Sequence, residues 1–435
     1  MANINLQEKL TAIGDAIRSK TGKTEKMNLD EMHEEILAIK TGGNSGDYDI
    51  DDVTFYDYDG TIIFSCSMED AQKLEELPTP LEHEGLVFQG WNWTLEQIKN
   101  SSVGADVGAL YDTEDGAVVF NISVKNKIER ENISLRLRTV VSGINPPSIT
   151  VDWGDGQVEA AGIVTSFGLD ISHSYAENGK YSIRVKKTSA EDDNFGLAVR
   201  NSSDYQIISD NWSIDNIIDS VYIGSDCGEV NNNYFAGINV IRNITVHKDL
   251  TLPNTGALFG SNGGSVRCLI LPPTQVGVYD IIDGCKSIDI ISIPMSVNSC
   301  EFGKNTGLHR IIFADSVITI AESNTYGSKL KELKFGSKVW KIDSYAFSAD
   351  EKNISEIIIP ASVKMLNSSC FSGLKGLKEY HLKCETPPTL ASAKSLAINT
   401  FGSEKTEIYV PKGTVDTYKA ATNWAALADY IVEEE

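Results

Sequence analysis

A short motif recurs between Asp219 and Glu385, and it limits the possible folds of this chain more than any other pattern in it. Each clear copy has a short apolar run, a turn and then a valine, and these valines are Val297, Val317, Val339 and Val363. Their spacing of 20, 22 and 24 residues is typical of a solenoid with loops of unequal length. One unit cannot bury its own apolar face, so the copies must stack. Weaker copies around Val221, Ile244 and Leu269 bring the prediction to about seven or eight coils.

The end of the chain predicts a cover for this stack. Residues 407–413 have the pattern of a last strand, and residues 418–424 have that of a short helix. A solenoid needs a terminal element that shields its open end from water. The long, repetitive outer surface of such a stack is typical of binding, and we expect no chemistry on it.

Charge and composition exclude several classes of partner. The 435 residues carry a net charge of −23, which argues against nucleic acid and against an anionic membrane surface. No stretch approaches the roughly 20 apolar residues of a membrane helix. Residues 1–9 have no apolar segment of the kind found in a secretory leader. We therefore expect no nucleic-acid partner, no membrane insertion, and synthesis in a cytoplasm without a signal peptide.

The cysteines are scattered singly and form no Cys-x-x-Cys pair. An odd number of isolated cysteines argues against a disulfide framework and against a cysteine-based zinc site. We expect them to be small buried apolar residues. There are seven: Cys66, Cys227, Cys268, Cys285, Cys300, Cys370 and Cys384.

Residues 1–40 predict a helical hairpin, joined to the rest by a Gly-rich linker at residues 41–46. Asn28 can cap the second helix. A hairpin on a flexible tether is typical of a docking module, and the alternative is a frayed terminal decoration. The predicted docking residues lie on the apolar stripes of the two helices: Leu6, Leu10, Ile13, Ile17, Met32 and Ile36.

Residues 47–115 predict a small α+β domain. Residues 53–64 read as two strands joined by a turn at Asp59-Gly60, and a short helix follows from Met68 to Leu77. Residues 55–61 resemble the first motif of haloacid-dehalogenase-type phosphatases, but the alternating strand–helix units of that fold do not follow. Trp91 and Trp93 could stack on a sugar ring, although alternating aromatics more often place one ring in a core.

Residues 116–200 predict a β-sandwich, because apolar runs at residues 118–120, 134–137 and 148–151 are separated by turns. Two segments, 151–156 and 173–185, resemble the signature of PKD-type immunoglobulin-like domains, which are spacer and adhesion modules. Asp152 and Asp155 could hold Ca²⁺, but a turn built on Asp155-Gly156 is favoured. The predicted structural motif comprises Trp153, Asp155, Gly156, His173, Tyr175 and Tyr181.

The chain shows no assembled catalytic site. Motifs for a nucleophile elbow, a phosphate loop and a zinc protease are all absent. The six histidines never pair at the short spacing of metal ligands: His33, His83, His173, His247, His309 and His381. We therefore predict a non-enzymatic protein with no catalytic residues, no cofactor and no metal.

The repeats resemble the BspA-like leucine-rich repeats of bacterial and phage surface proteins. The match to that pattern is strongest from Ser287 to Gly373, and residues 407–424 resemble the terminal segment of the same family. The resemblance implies that residues 201–435 form a solenoid with a C-terminal cap. Together these predictions describe a multidomain, mainly β chain in which the hairpin, the α+β segment, the PKD-type sandwich and the solenoid follow one another.

The order of these parts also resembles virion proteins of phages that infect gut Firmicutes, through residues 13–24, 55–62, 90–93 and 152–156. The resemblance implies a structural protein of the phage tail, baseplate or fibre, located in the virion. Its partners would be other virion proteins and a host cell-surface glycan or protein, and the fibre likeness suggests a homotrimer. The alternatives are a bacterial surface adhesin of the same repeat family and a ligand-free capsid or baseplate decoration.

Overall fold

The computed structural model describes residues 52–435 apart from short gaps. The gaps are residues 132, 140–144, 166–167, 198–216, 231–233, 236–240, 254–257, 260–264, 284, 286, 303–306, 322–328, 349–352 and 399–404. The predicted hairpin of residues 1–40, its six docking residues and the linker of residues 41–46 therefore lie outside the described residues. The described residues pack as one unit, and the boundaries predicted at residues 115 and 200 stay predictions.

The first described segment is a small α+β module, defined here as residues 52–113. Its strands form a four-stranded sheet in the order β2-β1-β4-β3, in which only β1 and β4 run parallel. The β-hairpin predicted at residues 53–64 is confirmed, because β1 and β2 pair antiparallel on either side of Asp59-Gly60. Hydroxyl side chains of Ser67 and Thr94 cap the two short helices, as serine and threonine commonly do. The elements are β1 (Val53–Tyr56), β2 (Ile62–Cys66), α1 (Met68–Lys73), β3 (Leu86–Trp91), α2 (Leu95–Lys99) and β4 (Ala105–Thr113).

The next segment is built almost wholly from strands, as the alternating apolar runs predict. The strands fall into two sheets: β5, β10, β7 and β8 lie in one, and β11, β6 and β9 lie in the other. Apolar side chains from both sheets are buried in a common core. The elements are β5 (Val118–Val124), α3 (Lys127–Arg130), β6 (Ile133–Thr139), β7 (Ser148–Asp152), β8 (Val158–Ile163), β9 (Leu169–His173), β10 (Gly179–Lys187) and β11 (Phe195–Leu197).

The C-terminal half is a solenoid of short parallel strands. They are β12 (Ile218–Ile223), β13 (Cys227–Val230), β14 (Asn243–Val246), β15 (Cys268–Ile270), β16 (Gly277–Tyr279), β17 (Ile290–Ser292), β18 (Ser299–Glu301), β19 (Arg310–Phe313), β20 (Thr319–Ile320), β21 (Glu332–Phe335), β22 (Lys341–Ile342), β23 (Glu356–Ile359), β24 (Met365–Leu366), β25 (Glu379–Leu382), β26 (Thr389–Leu390), β27 (Glu407–Val410) and β28 (Ile431–Glu433). Strands β16, β18, β20, β22, β24 and β26 form one six-stranded parallel sheet. The opposite wall holds the pairs β15-β17 and β19-β21 and the sheet β23-β25-β27-β28.

The repeat valines point into the core, as the motif predicts. Val297, Val317, Val339 and Val363 are all fully buried. Parallel strands stay in register from coil to coil, so the same position of each coil faces inward. Aromatic rings also stack between coils, for example Phe313 on Phe335 with their planes within 1°. The repetition of sequence is therefore a repetition of buried positions.

The first coils of the solenoid continue the sheets of the preceding segment. Strand β12 pairs antiparallel with β5 and parallel with β14, so one sheet runs through both regions. Strand β13 pairs with β11 and extends the other sheet in the same way. One hydrophobic core runs from Leu110 to Ile431 as a result.

The predicted cover at the C-terminus is present but differs in detail. Strand β27 is followed by helix α4 (Val415–Ala420), which lies a few residues before the predicted one, and by a 3₁₀ turn at Ala425–Tyr430. Trp424 is buried and donates from Nε1 to the carbonyl oxygen of Pro388 at 2.8 Å. The additional last strand, β28, pairs with β27. Sequence reasoning missed β28 because the strand has only three residues, and the last of them already belongs to the acidic end.

All seven cysteines lie among the described residues, are buried and form no disulfide, which confirms their predicted role as small apolar residues. Burial raises the pKa of the Cys384 thiol to about 11, so it stays protonated at neutral pH. Among the described helices, none has the length and apolar character needed to cross a membrane.

Candidate functional site

The solenoid has two walls, and only one of them is covered by another part of the described chain. We call the outward side chains of β15, β17, β19 and β21 the covered face, because the α+β module packs against them. We call the outward side of the sheet β16-β18-β20-β22-β24-β26, with the residue that precedes each strand, the open face. The two faces differ in contacts, charge and apolar exposure.

Asn92 is the central polar contact of the covered face, and it is buried. Its side-chain Nδ2 donates to the carbonyl oxygen of Leu271 at 3.0 Å and to Ser292 Oγ at 2.8 Å. Its Oδ1 accepts from the backbone N–H of Gly108 at 2.8 Å. The neighbouring Trp93 donates from Nε1 to the carbonyl oxygen of Ile293 at 2.9 Å. These bonds satisfy polar groups that would otherwise be stranded without water.

A charged cluster also joins the module to the covered face. Arg310 has a side chain only 4% exposed, and its Nε lies 3.6 Å from Asp106 Oδ2 and 3.4 Å from Glu332 Oε2. Burial raises the pKa of the Asp106 carboxyl, and the Arg310 guanidinium opposes that shift. Lys334 forms an ion pair with Asp52 at 2.8 Å, and this hydrogen bond lowers the pKa of Asp52. The cluster pairs opposite charges across the contact.

Asp315 forms a third contact between the module and the solenoid. Its carboxylate accepts from the backbone N–H and the hydroxyl of Ser102 in the module. It also accepts from the N–H and the hydroxyl of Ser337 in the next coil. Burial alone would raise the pKa of Asp315, but the four hydrogen bonds outweigh it and lower that pKa below its usual range. Asp315 is thus held as a carboxylate.

The open face presents apolar side chains to solvent in one column. Val276, Ile318 and Trp340 are 53%, 49% and 46% exposed, and each directly precedes a strand of the six-stranded sheet. The backbone sets the column, because Ile318 N–H donates to Asn298, Trp340 N–H donates to Ile318, and Lys364 N–H donates to Trp340. Beside it runs a second column in register, polar at every position but Met365: Ser299, Thr319, Lys341, Met365 and Thr389.

Charge is balanced on this part of the open face. Lys341 pairs with Asp343 at 2.6 Å, so neither contributes a net charge there. The remaining side chains of the two columns are mostly uncharged hydroxyl, amide or apolar groups. Within these two columns the stretch from Val276 to Lys341 is thus neutral, and the column that contains Trp340 continues with Lys364, an exposed cation.

Sequence reasoning missed this column, although a signal was present. Ile318 and Trp340 directly follow the repeat valines Val317 and Val339. Since the valine points inward at the start of each open-face strand, the next residue is turned toward solvent. Aligning that position through the four clear repeats gives Asn298, Ile318, Trp340 and Lys364, which places the apolar pair on adjacent coils.

The structure brings the predicted motif residues of the β-sandwich together. The ring of Trp153 is buried and stacks on His173 with centroids 4.8 Å apart. Tyr175 donates from its hydroxyl to the carbonyl oxygen of Trp153 at 2.6 Å, and the ring of Tyr181 stacks on Tyr175. His173 Nε2 lies 2.8 Å from Asp155 Oδ2. These contacts join β7, β9 and β10 and belong to the core and its rim.

The turn beside this motif uses both of its aspartates. Asp152 Oδ1 accepts from the N–H of Gly154, and Asp155 Oδ1 accepts from the N–H of Gln157. Gly156 has φ +90°, a left-handed conformation that favours glycine. Burial would raise the pKa of Asp155, but the bond with His173 lowers it overall. The arrangement is that of a hydrogen-bonded turn, the favoured sequence alternative.

The other motifs singled out in the module also have structural partners. Asp57 is buried, accepts from the N–H of Tyr58 and lies 2.7 Å from His83 Nε2. Trp91 and Trp93 are both buried, so the expectation of one ring in the core and one on the surface is wrong. Trp91 donates to the carbonyl oxygen of Pro78 at 3.2 Å. Both rings nevertheless line an open pocket of about 560 Å³ together with Pro78, Phe88 and Leu95, so sugar stacking stays a prediction.

Comparison with known proteins identifies the repeats. No curated protein matches the chain. A solved structure described as a leucine-rich repeat protein from Bacteroides ovatus is 14% identical, covers 66% of this chain and 74% of its own, and has a TM-score of 0.35. The family model for the BspA type leucine rich repeat region matches residues 279–400 in six copies. The chain therefore carries, over residues 279–400, leucine-rich repeats of the BspA type.

Proposed function

We propose that this chain is a non-enzymatic phage virion protein, of the tail, baseplate or fibre, that binds a host cell surface. The predicted helices of residues 1–40 attach it to other virion proteins, and the open face of the solenoid contacts a host glycan or protein. The observation that carries the proposal is the exposed column Val276, Ile318 and Trp340 on a wall that the rest of the described chain leaves uncovered.

The contrast with the covered face supports this choice of surface. On the covered face, groups on and directly after β15, β17 and β19 are bonded by Asn92, Trp93, Asp106 and Ser102 of the module. A ligand that approached this face would have to displace buried hydrogen bonds and ion pairs. The open face has no such obstacle among the described residues, and exposed apolar side chains on it gain free energy when they are covered.

The mode of binding follows from the repetition. Each coil offers only one or two exposed side chains on the open face, so each contact is weak. Several coils contribute in parallel, and several copies of the protein on one particle multiply the effect through a high effective concentration. A homotrimer, as the fibre likeness suggests, would present three such faces.

The test measures retention of the full chain on intact host cells. Replacing both Ile318 and Trp340 with alanine should reduce retention at least tenfold, because the two side chains are adjacent on the column. Ile358→Ala is the matched control, since Ile358 is 52% exposed but lies on β23 of the other wall. Equal retention of all three proteins would exclude the open face and would favour a ligand-free decoration protein.

A second test concerns attachment to the particle. Deletion of residues 1–46 removes the predicted hairpin and linker and leaves every described element intact. The shortened protein should fold and remain soluble yet be missing from purified particles, as detected by immunoblot. Particles that still carry it would contradict the docking role of Leu6, Leu10, Ile13, Ile17, Met32 and Ile36.

The alternative candidate is a bacterial surface adhesin, which the BspA-type repeat match also supports. The two hypotheses share the open face and differ in location. Antibody labelling under the electron microscope separates them, because a virion protein labels particles and an adhesin labels the bacterial envelope.

A further inference from the structure

Three metal-ligating side chains meet on the outer surface of the last coils, away from both faces described above. Glu356 on β23 and Glu379 on β25 are paired in register, one coil apart. His381 lies two residues after Glu379, so its side chain emerges on the same side of the sheet. Its Nε2 is 3.2 Å from Glu379 Oε2 and 3.6 Å from Glu356 Oε1.

The imidazole of His381 is held in position from its other side. Its Nδ1 lies 3.3 Å from Glu434 Oε1, just beyond strand β28. Its ring stacks on Tyr409 of the neighbouring coil with centroids 4.7 Å apart and planes within 6°. A histidine that binds a metal with one nitrogen commonly bonds a carboxylate with the other, which fixes the ring and its tautomer. Glu434 and Tyr409 therefore hold the imidazole of His381 in the way that metal-binding histidines are usually held.

The charge pattern around His381 also favours a cation. Glu356, Glu379 and Glu407 occupy the same position on three successive coils, and like charges directly opposite each other on paired strands are destabilising. The neighbouring cation Lys383 pairs with Glu434. Glu407 accepts a hydrogen bond from the hydroxyl of Tyr409. Glu356 and Glu379 thus face each other with His381 between them.

We propose that Glu356, Glu379 and His381 bind a first-row divalent transition-metal ion such as Zn²⁺. Zinc bonds of about 2.0–2.2 Å in a tetrahedral site place neighbouring ligand atoms about 3.4 Å apart. The two distances from His381 Nε2, 3.2 and 3.6 Å, fall on either side of that value. The imidazole favours a transition metal, since Ca²⁺ prefers a larger set of oxygen ligands. The ion would tie β23 to β25 and, through Glu434, to the end of the chain.

The experiment is a calorimetric titration of the full chain, freed of metal by a chelator, with Zn²⁺. We expect one site that His381→Ala weakens at least tenfold. Glu434→Gln should weaken it about tenfold, as loss of a supporting partner of a ligating histidine does. Glu407→Gln is the matched control, because it removes a glutamate at the same strand position one coil further on. It should leave zinc affinity within about twofold.

Thermal unfolding provides an independent readout. Zinc at one hundred times the parent's dissociation constant should raise the unfolding midpoint of the parent by about 3 °C and that of His381→Ala by no more than about half as much. Failure of the parent to bind zinc would overturn the proposal, and so would equal affinities for the parent and His381→Ala. A site that prefers Ca²⁺ to Zn²⁺ at equal concentrations would overturn the choice of metal. None of these outcomes bears on host binding by the open face.

Discussion

The two walls of the solenoid have the same repeat architecture and opposite surroundings. The covered face is filled by the module through Asn92, an ion pair between Arg310 and Asp106, and the carboxylate of Asp315. The open face keeps Ile318 and Trp340 in solvent. The inward positions of the coils must repeat because they pack on each other, whereas each outward position is free to diverge. The residue types at the outward positions therefore differ between the walls according to what each wall contacts.

The largest effect is expected where a charge on the covered face loses its partner. Arg310→Ala leaves Asp106 buried without its guanidinium, which should lower the free energy of unfolding by about 3–5 kcal/mol. Denaturant titration measures the loss. The double variant Arg310→Met with Asp106→Leu should recover most of it, because an apolar pair leaves no buried charge. A loss below about 1 kcal/mol for Arg310→Ala would show that the contact is open to water.

Asn92→Ala should have the next largest effect, a loss of about 2–3 kcal/mol. It removes one side chain that bonds Leu271, Ser292 and Gly108, and it leaves buried backbone groups without partners. Asn298→Ala on the open face is the matched control, because Asn298 is exposed there. Its effect should stay within about 0.5 kcal/mol. Equal losses for the two variants would remove the distinction between the faces.

Acid should weaken the covered face through Asp315. The pKa of this carboxyl is lowered in the folded protein, so its stabilising contribution is present above the unfolded value of about 3.9 and is lost as pH falls through the folded pKa. Asp315→Asn should cost about 2 kcal/mol at pH 7 and should lose less stability than the parent on going to acid. Unfolding curves at pH 7 and below pH 4 measure both. Parallel pH profiles would contradict this role.

The smallest effect on stability is expected on the open face. Trp340→Ala should change the free energy of unfolding by no more than about 0.5 kcal/mol, because the ring is half exposed. The same variant should nevertheless reduce retention on host cells severalfold if the proposed function holds. A large loss of stability would mean that the ring belongs to the core. The open face would then contribute to stability as the covered face does.

The sequence allowed the buried positions of the solenoid to be predicted, but not the contacts made by its outward residues. The four repeat valines and the stacked coils follow from periodicity, since burial recurs once per coil, whereas the burial of the cysteines follows from their isolated positions. The contact of Asn92 with Ser292 spans 200 residues and leaves no periodic trace. The identity of the sandwich as a PKD-type domain, the helical hairpin, the virion role and the trimer stay predictions.

The cluster at His381 shows why short spacings are a poor guide in this architecture. A search for paired histidines or cysteines along the chain looks for ligands a few residues apart. In a solenoid, neighbours in space are one coil apart, and Glu356 and Glu379 are 23 residues apart in sequence. The useful signal is therefore the same position in consecutive repeats.

The pairing of Ile218–Ile223 with Val118–Val124 has a consequence for how the chain assembles. Repeat stacks generally carry a dedicated terminal unit that protects their first strand. Here strands β5 and β11 of the preceding segment pair with the first coil, and they are synthesised before it. Each new turn of the spiral can then add to a template that already exists, and a fragment that starts at Asp219 would begin with its first strand bare.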